Sequence, residues 1–462
     1  MVFPTLEFVL FFAVVLALNL AVDGHSGWRK AMLVAASYVF YAAWDPRMTL
    51  LMAAMTALAW GAGLLVRRPG WTRPVLIIAI AGFLGTLGYF KYANFFMLSL
   101  GQLLATLGLE RDMAWAGVVL PVGISFYIFH GISYVVDIAR GKVEARRNPV
   151  DVAFYIGFFP HLVAGPIVRA ADFLPQIDRP TPPGPALRAE AVLLILTGLF
   201  KKMVIANYLA VMLVDPVFAW PEGHGAAMAW AALLGYAVQI YCDFSGYSDI
   251  AIGVALLLGY RFKANFNQPY RAASLQEFWR RWHISLSSFI RDYLYIPLGG
   301  NRGSAWRQAA VLFFTMTIAG LWHGAAWTFI LWGALHGAGL AAERAGRAAG
   351  LRLPRPLAIL ATFGFVLLLW LPFRAHGSAN ALAMFDALTA GTDTGPALAP
   401  VVLVLLALGL LMNFLPLSWR DATISGTARV PAAGQALILA AGTMFLFALS
   451  QEGTAPFIYF QF

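Results

Sequence analysis

The sequence predicts an all-α polytopic membrane protein with about 11–12 transmembrane helices plus re-entrant and interfacial helices, each span needing roughly 20 apolar residues. Three observations carry this. Hydrophobic residues make up 60% of the 462 positions and charged residues only 12%, against about 25% charged in soluble domains. The mean hydropathy is +0.73. The basic side chains fall in short clusters between apolar stretches, as cytoplasmic loops require. A net charge of +10 would otherwise suggest nucleic acid as partner. These clusters do not gather on one face, so the chain is read as binding membrane lipid and no nucleic acid.

The expected spans are 6–22, 31–44, 48–66, 74–104, 117–138, 189–213, 226–258, 305–321, 325–341, 357–373, 398–415 and 434–450. The stretch from Met1 to Val22 lacks a basic leader and a small-residue cleavage site, and reads as the first span and not as a signal peptide. The basic clusters are Arg29–Lys30, Arg67 to Arg73, Arg140 to Arg147, Arg169 to Arg188, the 261–302 loop and Arg344 to Arg355. With these on the cytoplasmic side, two spans separate most successive clusters and both termini lie outside. The parity closes only if 74–104 is one long, tilted segment. One integral membrane domain is expected over 1–462, with 118–340 as its core and 357–450 as C-terminal spans.

Phe154 to Val168 is apolar but lies between two basic clusters, and Pro160, His161, Gly165 and Pro166 interrupt it. A re-entrant loop or a pair of half-helices is expected, which lipid tolerates only where the backbone lines protein or a wet cavity. Between Arg261 and Arg302, Trp279, Trp282, Phe289, Tyr293 and Tyr295 are interleaved with Arg280, Arg281, Arg291 and Asp292. That mixture suits amphipathic helices at the cytoplasmic interface or dipping into it. The Pro-rich 175–185 and the polar 375–397 read as structureless linkers. No internal repeat is visible, which disfavours a transporter built from inverted repeats.

Polar groups at membrane depth are expensive and invite a functional reading. His323 lies in TIAGLWHGAAWTFILWGALHG, a run with no charged residue, flanked by Trp322 and Gly324. Two readings stand for it: a histidine hydrogen-bonded between helices, or a neutral general base taking a proton from a hydroxyl nucleophile. Gly320 and Gly324 would let backbone approach closely and leave space for a substrate. On span parity His283, in RRWHISLS, lies towards the cytoplasm and His323 towards the outside. This suits a donor entering below and an acceptor above. His336 reads as a helix–helix hydrogen-bonding residue, while His130 and His161 lie in or beside apolar segments. Lys201 and Lys202, and Asp243 and Asp249, sit inside apolar spans and are expected to pair. The single cysteine, Cys242, excludes a disulfide framework and reads as a small buried residue. No cluster has metal-ligand spacing, so no metal site is expected, and neither a GxSxG elbow nor a Gly-rich phosphate loop is present.

The segments LPVGISFYIFHGISYVVDI, FFPHLVAGPIVR, QIYCDFSGYSDIAIG, NFNQPYRAASLQEFWRRWHISLSSFIRDYLYIPLGGNR and LWHGAAWTFILWG resemble the membrane-bound O-acyltransferase family. Within it they are most similar to the bacterial branch that acetylates alginate and other exopolysaccharides. The resemblance covers most of 1–345 and is dense over 118–340. It implies tilted helices around a tunnel between the two membrane faces. It implies a catalytic histidine in the WHG motif, here His323, and a second in the HISLS motif, here His283. It further implies an O-acyltransferase of the bacterial inner membrane with no bound cofactor. Its acetyl group would come from a cytoplasmic donor, acetyl-CoA, and pass to periplasmic partners with an SGNH-hydrolase-like domain.

Arg280, Arg281 and Arg291 are suited to the donor's phosphates, although positive-inside anchoring explains them equally well. Asn265 and Trp322 are the other expected donor contacts. Peptidoglycan, cellulose and D-alanyl transfer to teichoic acid are alternatives on the same scaffold, since fold does not settle substrate. From other classes, a transporter or flippase subunit of an export complex, or a scaffold in which His323 is immaterial, would also fit buried histidines.

Overall fold

The structure is a computed structural model that describes residues 1, 3–22, 24–109, 117–391 and 397–450. Among the described residues every regular element is helical, the arrangement that pairs each backbone group within its own segment when no water is at hand. Five of these helices are long and apolar enough to cross a membrane, and three more are apolar but shorter. Leu50, Ile78, Leu360 and Leu437 are all exposed, as lipid-facing side chains should be. The chain divides into two compact units, Met1–Pro183 with Val254–Phe262, and Gly184–Gly253 with the residues from Lys263 onward.

In the first unit, α1 (Leu6–Ala21), α2 (Ser26–Ala42) and α3 (Pro46–Leu65) follow one another with short connections. Thr5 caps α1 by accepting the Phe8 N–H, and Asp45 caps α3 ahead of a proline at its first position. The 74–104 stretch forms one continuous helix, α4 (Thr72–Thr106), with a π-helical turn at Gly88–Tyr92. Its 35 residues span about 52 Å at 1.5 Å per residue, well beyond the roughly 30 Å apolar layer. α5 (Ile124–Ala139) begins later than the 117–138 reading, because Gly123 takes a left-handed φ of 74°. A Cβ there would lie 2.5 Å from the Leu162 carbonyl oxygen, so backbone passes backbone at this turn.

The broken segment has the expected half-helical form: α6 (Pro149–Gly157), the single turn α7 (Phe159–Leu162), then an irregular run into α8 (Ala170–Asp178). Its backbone is buried in protein and satisfied there. The Phe159 N–H donates to Ser37 Oγ of α2, and the Tyr155 hydroxyl donates to the Val168 carbonyl. Lys30 on α2 pairs with Asp151, and Arg146 pairs with Asp178, at 2.9 and 2.7 Å. The Pro-rich 175–185 is therefore helical as far as Asp178.

In the second unit α9 (Pro185–Leu199) runs on through π-helical turns at Phe200–Ala206 and Ala210–Val214. It crosses α10 (Ala226–Leu257), whose last turn belongs to the first unit. A Cβ on Gly198 or on Gly246 would meet the other glycine's carbonyl oxygen, at 2.6 and 2.7 Å. At that crossing Lys201 pairs with Asp249 at 2.6 Å and Lys202 with Asp243, the pairing expected of charges at membrane depth. Cys242 is buried beside them.

Two short helices follow, α11 (Leu275–Arg281) and α12 (Ile284–Ile290); Ser274 caps α11 by accepting the Glu277 N–H, and the Glu277 carboxylate accepts the Ala273 N–H. Next come α13 (Ala305–His323), α14 (Trp327–Ala348) and α15 (Arg355–Arg374). The 375–397 stretch is no plain linker, since α16 (Ser378–Thr389) forms within it. α17 (Pro400–Leu411), α18 (Leu417–Ala428) and α19 (Ala432–Leu449) complete the described chain. α18 is polar, so a search for apolar spans passes over it. Arg420 ties it to Glu190 of α9 at 2.6 Å.

Candidate active site

α13 and α14 are adjacent antiparallel helices held unusually close. A Cβ on Gly320 would lie 2.2 Å from the Phe329 carbonyl oxygen, and one on Gly333 2.3 Å from that of Met316. Small residues permit such approach between helices in lipid. The sequence reading gave Gly320 and Gly324 to substrate space. Instead the neighbouring helix takes it, with the Phe329 ring 2.2 Å from where a Gly324 Cβ would be. The close crossing fixes the last residue of α13, His323, which is buried within an aromatic shell. Trp322 and Trp332 stand 5.1 Å from its ring centroid and Phe373 of α15 stands at 5.4 Å.

His283 sits between α11 and α12 with φ 42° and ψ 55°, a left-handed conformation uncommon for a residue with a Cβ. Two backbone bonds hold the turn: Ile284 N–H donates to the Asn265 carbonyl at 2.9 Å, and Asn267 N–H to the Arg281 carbonyl at 2.9 Å. The imidazole is fully buried, edge-on to Phe244 at 4.6 Å, with Nδ1 3.2 Å from Asn265 Oδ1. Burial pushes it down to about 3, so it is neutral at physiological pH. Its ring centroid lies 6.5 Å from that of His323. That spacing limits any difference in depth between the two histidines to about 6.5 Å, so both belong to one site. Trp282, His283, Leu286 and Phe289 are buried, so the 282–290 segment does not lie flat on the surface but packs inward against the end of α13.

A cavity of about 800 Å³ is walled by α11, α12, α13 and α14, and neither histidine of the pair is among its lining residues. Arg280, Arg291, Arg344 and Arg347 line it, and no acidic side chain does. On α13 its wall is the face carrying Leu312, Thr315, Met316 and Ala319. The next residue on that face, one turn beyond Ala319, is His323. Ile284, which follows His283, lines the same cavity. Its volume falls in the range of sites for cofactor-sized molecules, about 300–1,000 Å³.

The structure separates the sequence-based candidates. Arg280 and Arg291 line the cavity, Arg291 paired with Asp292 at 2.7 Å as Arg347 is with Glu343 at 2.9 Å. Arg281 is engaged elsewhere, with Glu277 at 2.8 Å and with the Asn267 carbonyl. Trp322 packs against both histidine rings, and the Asn265 amide is turned to His283, Ser285 and Ser248. Arg344 and Arg347 were passed over as part of a cytoplasmic cluster. Their signal was a three-residue spacing on a helix that continues past 341, to Ala348. His336 packs between Trp332 and Trp279, at 4.7 and 5.1 Å; neither ring nitrogen has a hydrogen-bond partner among the described residues, so the contact is by ring packing and not the expected helix–helix hydrogen bond. His130 and His161 lie in the first unit, buried with their rings 4.4 Å apart. Among the described residues no cluster of His, Cys, Asp or Glu has the make-up of a metal site.

Residues 124–371 match the model of MBOAT, the membrane-bound O-acyltransferase family. A probable alginate O-acetylase AlgI from Pseudomonas aeruginosa is 45% identical over 366 residues, 78% of this chain and 70% of that one. Its counterpart from Pseudomonas putida is 40% identical over 467 residues, 94% of this chain and 95% of the relative. The peptidoglycan O-acetyltransferase of Helicobacter pylori is 36% identical over 386 residues, 76% and 72% of the two chains. Both buried histidines and all four cavity arginines fall inside the 124–371 match.

Proposed function

Since the chain belongs to the membrane-bound O-acyltransferase family, and is a membrane-embedded O-acyltransferase, we propose that it takes acetyl groups from cytoplasmic acetyl-CoA and delivers them across a bacterial inner membrane for O-acetylation of an exopolysaccharide such as alginate. The observation that carries this reading is the cavity with four arginines in its wall, one side of which is the α13 face that bears His323 one turn further on.

The diphosphate end of the donor lies against Arg280, Arg291, Arg344 and Arg347, whose guanidinium groups match phosphate oxygens. The thioester end reaches the histidine pair. His323 accepts the proton of an acceptor hydroxyl as its oxygen attacks the thioester carbon. The carbon–sulfur bond then breaks, and the proton passes to the departing sulfur. His283 stays uncharged beside the reacting carbonyl. The product leaves on the outer side to periplasmic partners with an SGNH-hydrolase-like domain, which place the acetyl group on the polymer. The alginate acceptor is supported by the names of relatives at 40–45% identity. The peptidoglycan enzyme at 36% supplies a second acceptor class.

The test uses inverted membrane vesicles that hold the full chain with its export machinery, supplied with [14C]acetyl-CoA. His323→Ala should lower acetyl transfer by about 10²–10⁴-fold, the usual worth of a general base, while donor binding persists. Undiminished transfer by His323→Ala would sink the assignment. Binding without thioester cleavage by the wild type would favour a transporter. Mass spectrometry of the acetylated polymer separates alginate from peptidoglycan.

A further inference from the structure

Asn265 lies in the loop after α10, 18 residues before His283, and is buried. Its side chain makes contacts through both the oxygen and the nitrogen of the amide. Oδ1 accepts from the Ser285 N–H at 3.2 Å and from the Ser285 hydroxyl at 2.9 Å, and it faces His283 Nδ1 at 3.2 Å. Nδ2 donates to Ser248 Oγ at 3.1 Å. The backbone N–H of Ser285 can only donate, so it decides which way the amide is turned: oxygen towards Ser285, nitrogen towards Ser248. An amide oxygen can only accept, so the His283 nitrogen facing it must carry the proton. Nδ1 is then N–H, and the lone pair of the neutral ring sits on Nε2. Nε2 is buried and makes no hydrogen bond among the described residues.

The same residue also holds the ring's backbone. The Asn265 carbonyl accepts the Ile284 N–H at 2.9 Å, closing the left-handed turn at His283. Such a conformation is strained for a residue with a Cβ and persists only where its surroundings impose it. One buried asparagine thus fixes both the conformation and the proton position of one histidine.

We infer that Asn265 is a positioning residue for acyl transfer, holding His283 as the Nδ1–H tautomer so that its Nε2 lone pair is presented to the reacting groups. This rests on the reading of the His283–His323 pair as the reaction centre. Among the described residues the rings packed on His283 are the titratable His323, at 6.5 Å from α13, and the uncharged Phe244 and Trp322. A donor-binding asparagine would act through the KM for acetyl-CoA. A positioning asparagine acts through kcat and through the ionisation of His283.

The experiment compares wild type, Asn265→Asp, Asn265→Leu and His283→Ala in inverted vesicles, with acetyl-CoA as probe and pH varied from 5 to 9. Asn265→Leu should lower kcat by about 100-fold or more with little change in KM. Asn265→Asp keeps an acceptor towards Nδ1–H and should retain most activity near pH 8. Its carboxylate favours the charged imidazolium, so an acid limb should move up in pH by about 1–3 units. Equal losses in both Asn265 variants, or an Asn265→Asp profile superimposable on wild type, would overturn the inference while leaving the histidine pair intact. Full activity in His283→Ala would overturn the reading beneath it as well. Thermal melting of each variant separates loss of fold, which Asn265→Asp should not show.

Discussion

Lys202 and Asp243 form an ion pair whose side chains are 2% and 4% exposed, while the adjacent pair Lys201–Asp249 is 14% and 20% exposed. Both pairs join the π-helical turn after α9 to α10, so they form a matched comparison of burial at constant chemistry. Removing one partner from the deeper pair strands a charge that water cannot reach. Lys202→Met or Asp243→Leu should therefore cost about 3–5 kcal/mol. At 1.36 kcal/mol per tenfold, that is between about two and four orders of magnitude in the unfolding equilibrium. The double variant Lys202→Met/Asp243→Leu removes both charges at similar volume, and should fall within about 2 kcal/mol of wild type. Lys201→Met should cost only about 1–2 kcal/mol, between the values for exposed and buried pairs. Reversible unfolding in mixed SDS–dodecylmaltoside micelles, followed by tryptophan fluorescence, measures all four. A double variant that costs the sum of the singles would refute the argument, as would Lys202→Met costing less than about 1 kcal/mol. Retained acetyl transfer by the double variant would mark the pair as structural and not as part of a proton path.

Three further expectations follow from particular contacts. Gly333→Ala drives a methyl into the Met316 carbonyl and the Gly320 backbone. It should cost about 1–3 kcal/mol in the same unfolding assay and lower acetyl transfer by shifting Trp332 against His323. Arg280→Gln and Arg344→Gln should each raise the KM for acetyl-CoA about tenfold with kcat nearly unchanged, since a charge-assisted hydrogen bond is worth about 1.5–3 kcal/mol. They should also flatten the salt dependence of KM. The hydrogen bond from Arg146 holds the Asp178 carboxyl below the usual carboxylate range. Its stabilisation is fully present above the unfolded pKa of about 3.9 and is lost as pH falls through the lower folded value. The stability gap between wild type and Asp178→Asn should therefore close on acidification below about pH 4. The gap is small, because Asp178 is 44% exposed and water screens the pair.

Much of the architecture was legible in the sequence because lipid makes local pattern decisive. Runs of apolar residues, proline and glycine breaks and stranded charges each carry a cost that neighbouring residues along the chain must answer. Hence the long α4, the half-helices around Phe158 and the pairing of Lys201 and Lys202 with α10 aspartates could be expected before any coordinates. His323 and His283 stood out for the same reason, with the motif resemblance adding their roles. α16 and α18 escaped because both lie in polar stretches, and helices shaped by packing leave little hydropathy signal. Only the tertiary structure decided that two histidines 40 residues apart lie with rings 6.5 Å from each other. It likewise decided that Arg280 and Arg291 share a wall with Arg344 and Arg347, that Arg281 does not, and that Asn265 serves His283. Hydropathy and spacing are properties of one segment. Convergence of side chains depends on how closely α13 and α14 can pass at Gly320 and Gly333, and on a left-handed turn at His283 that only distant partners hold in place.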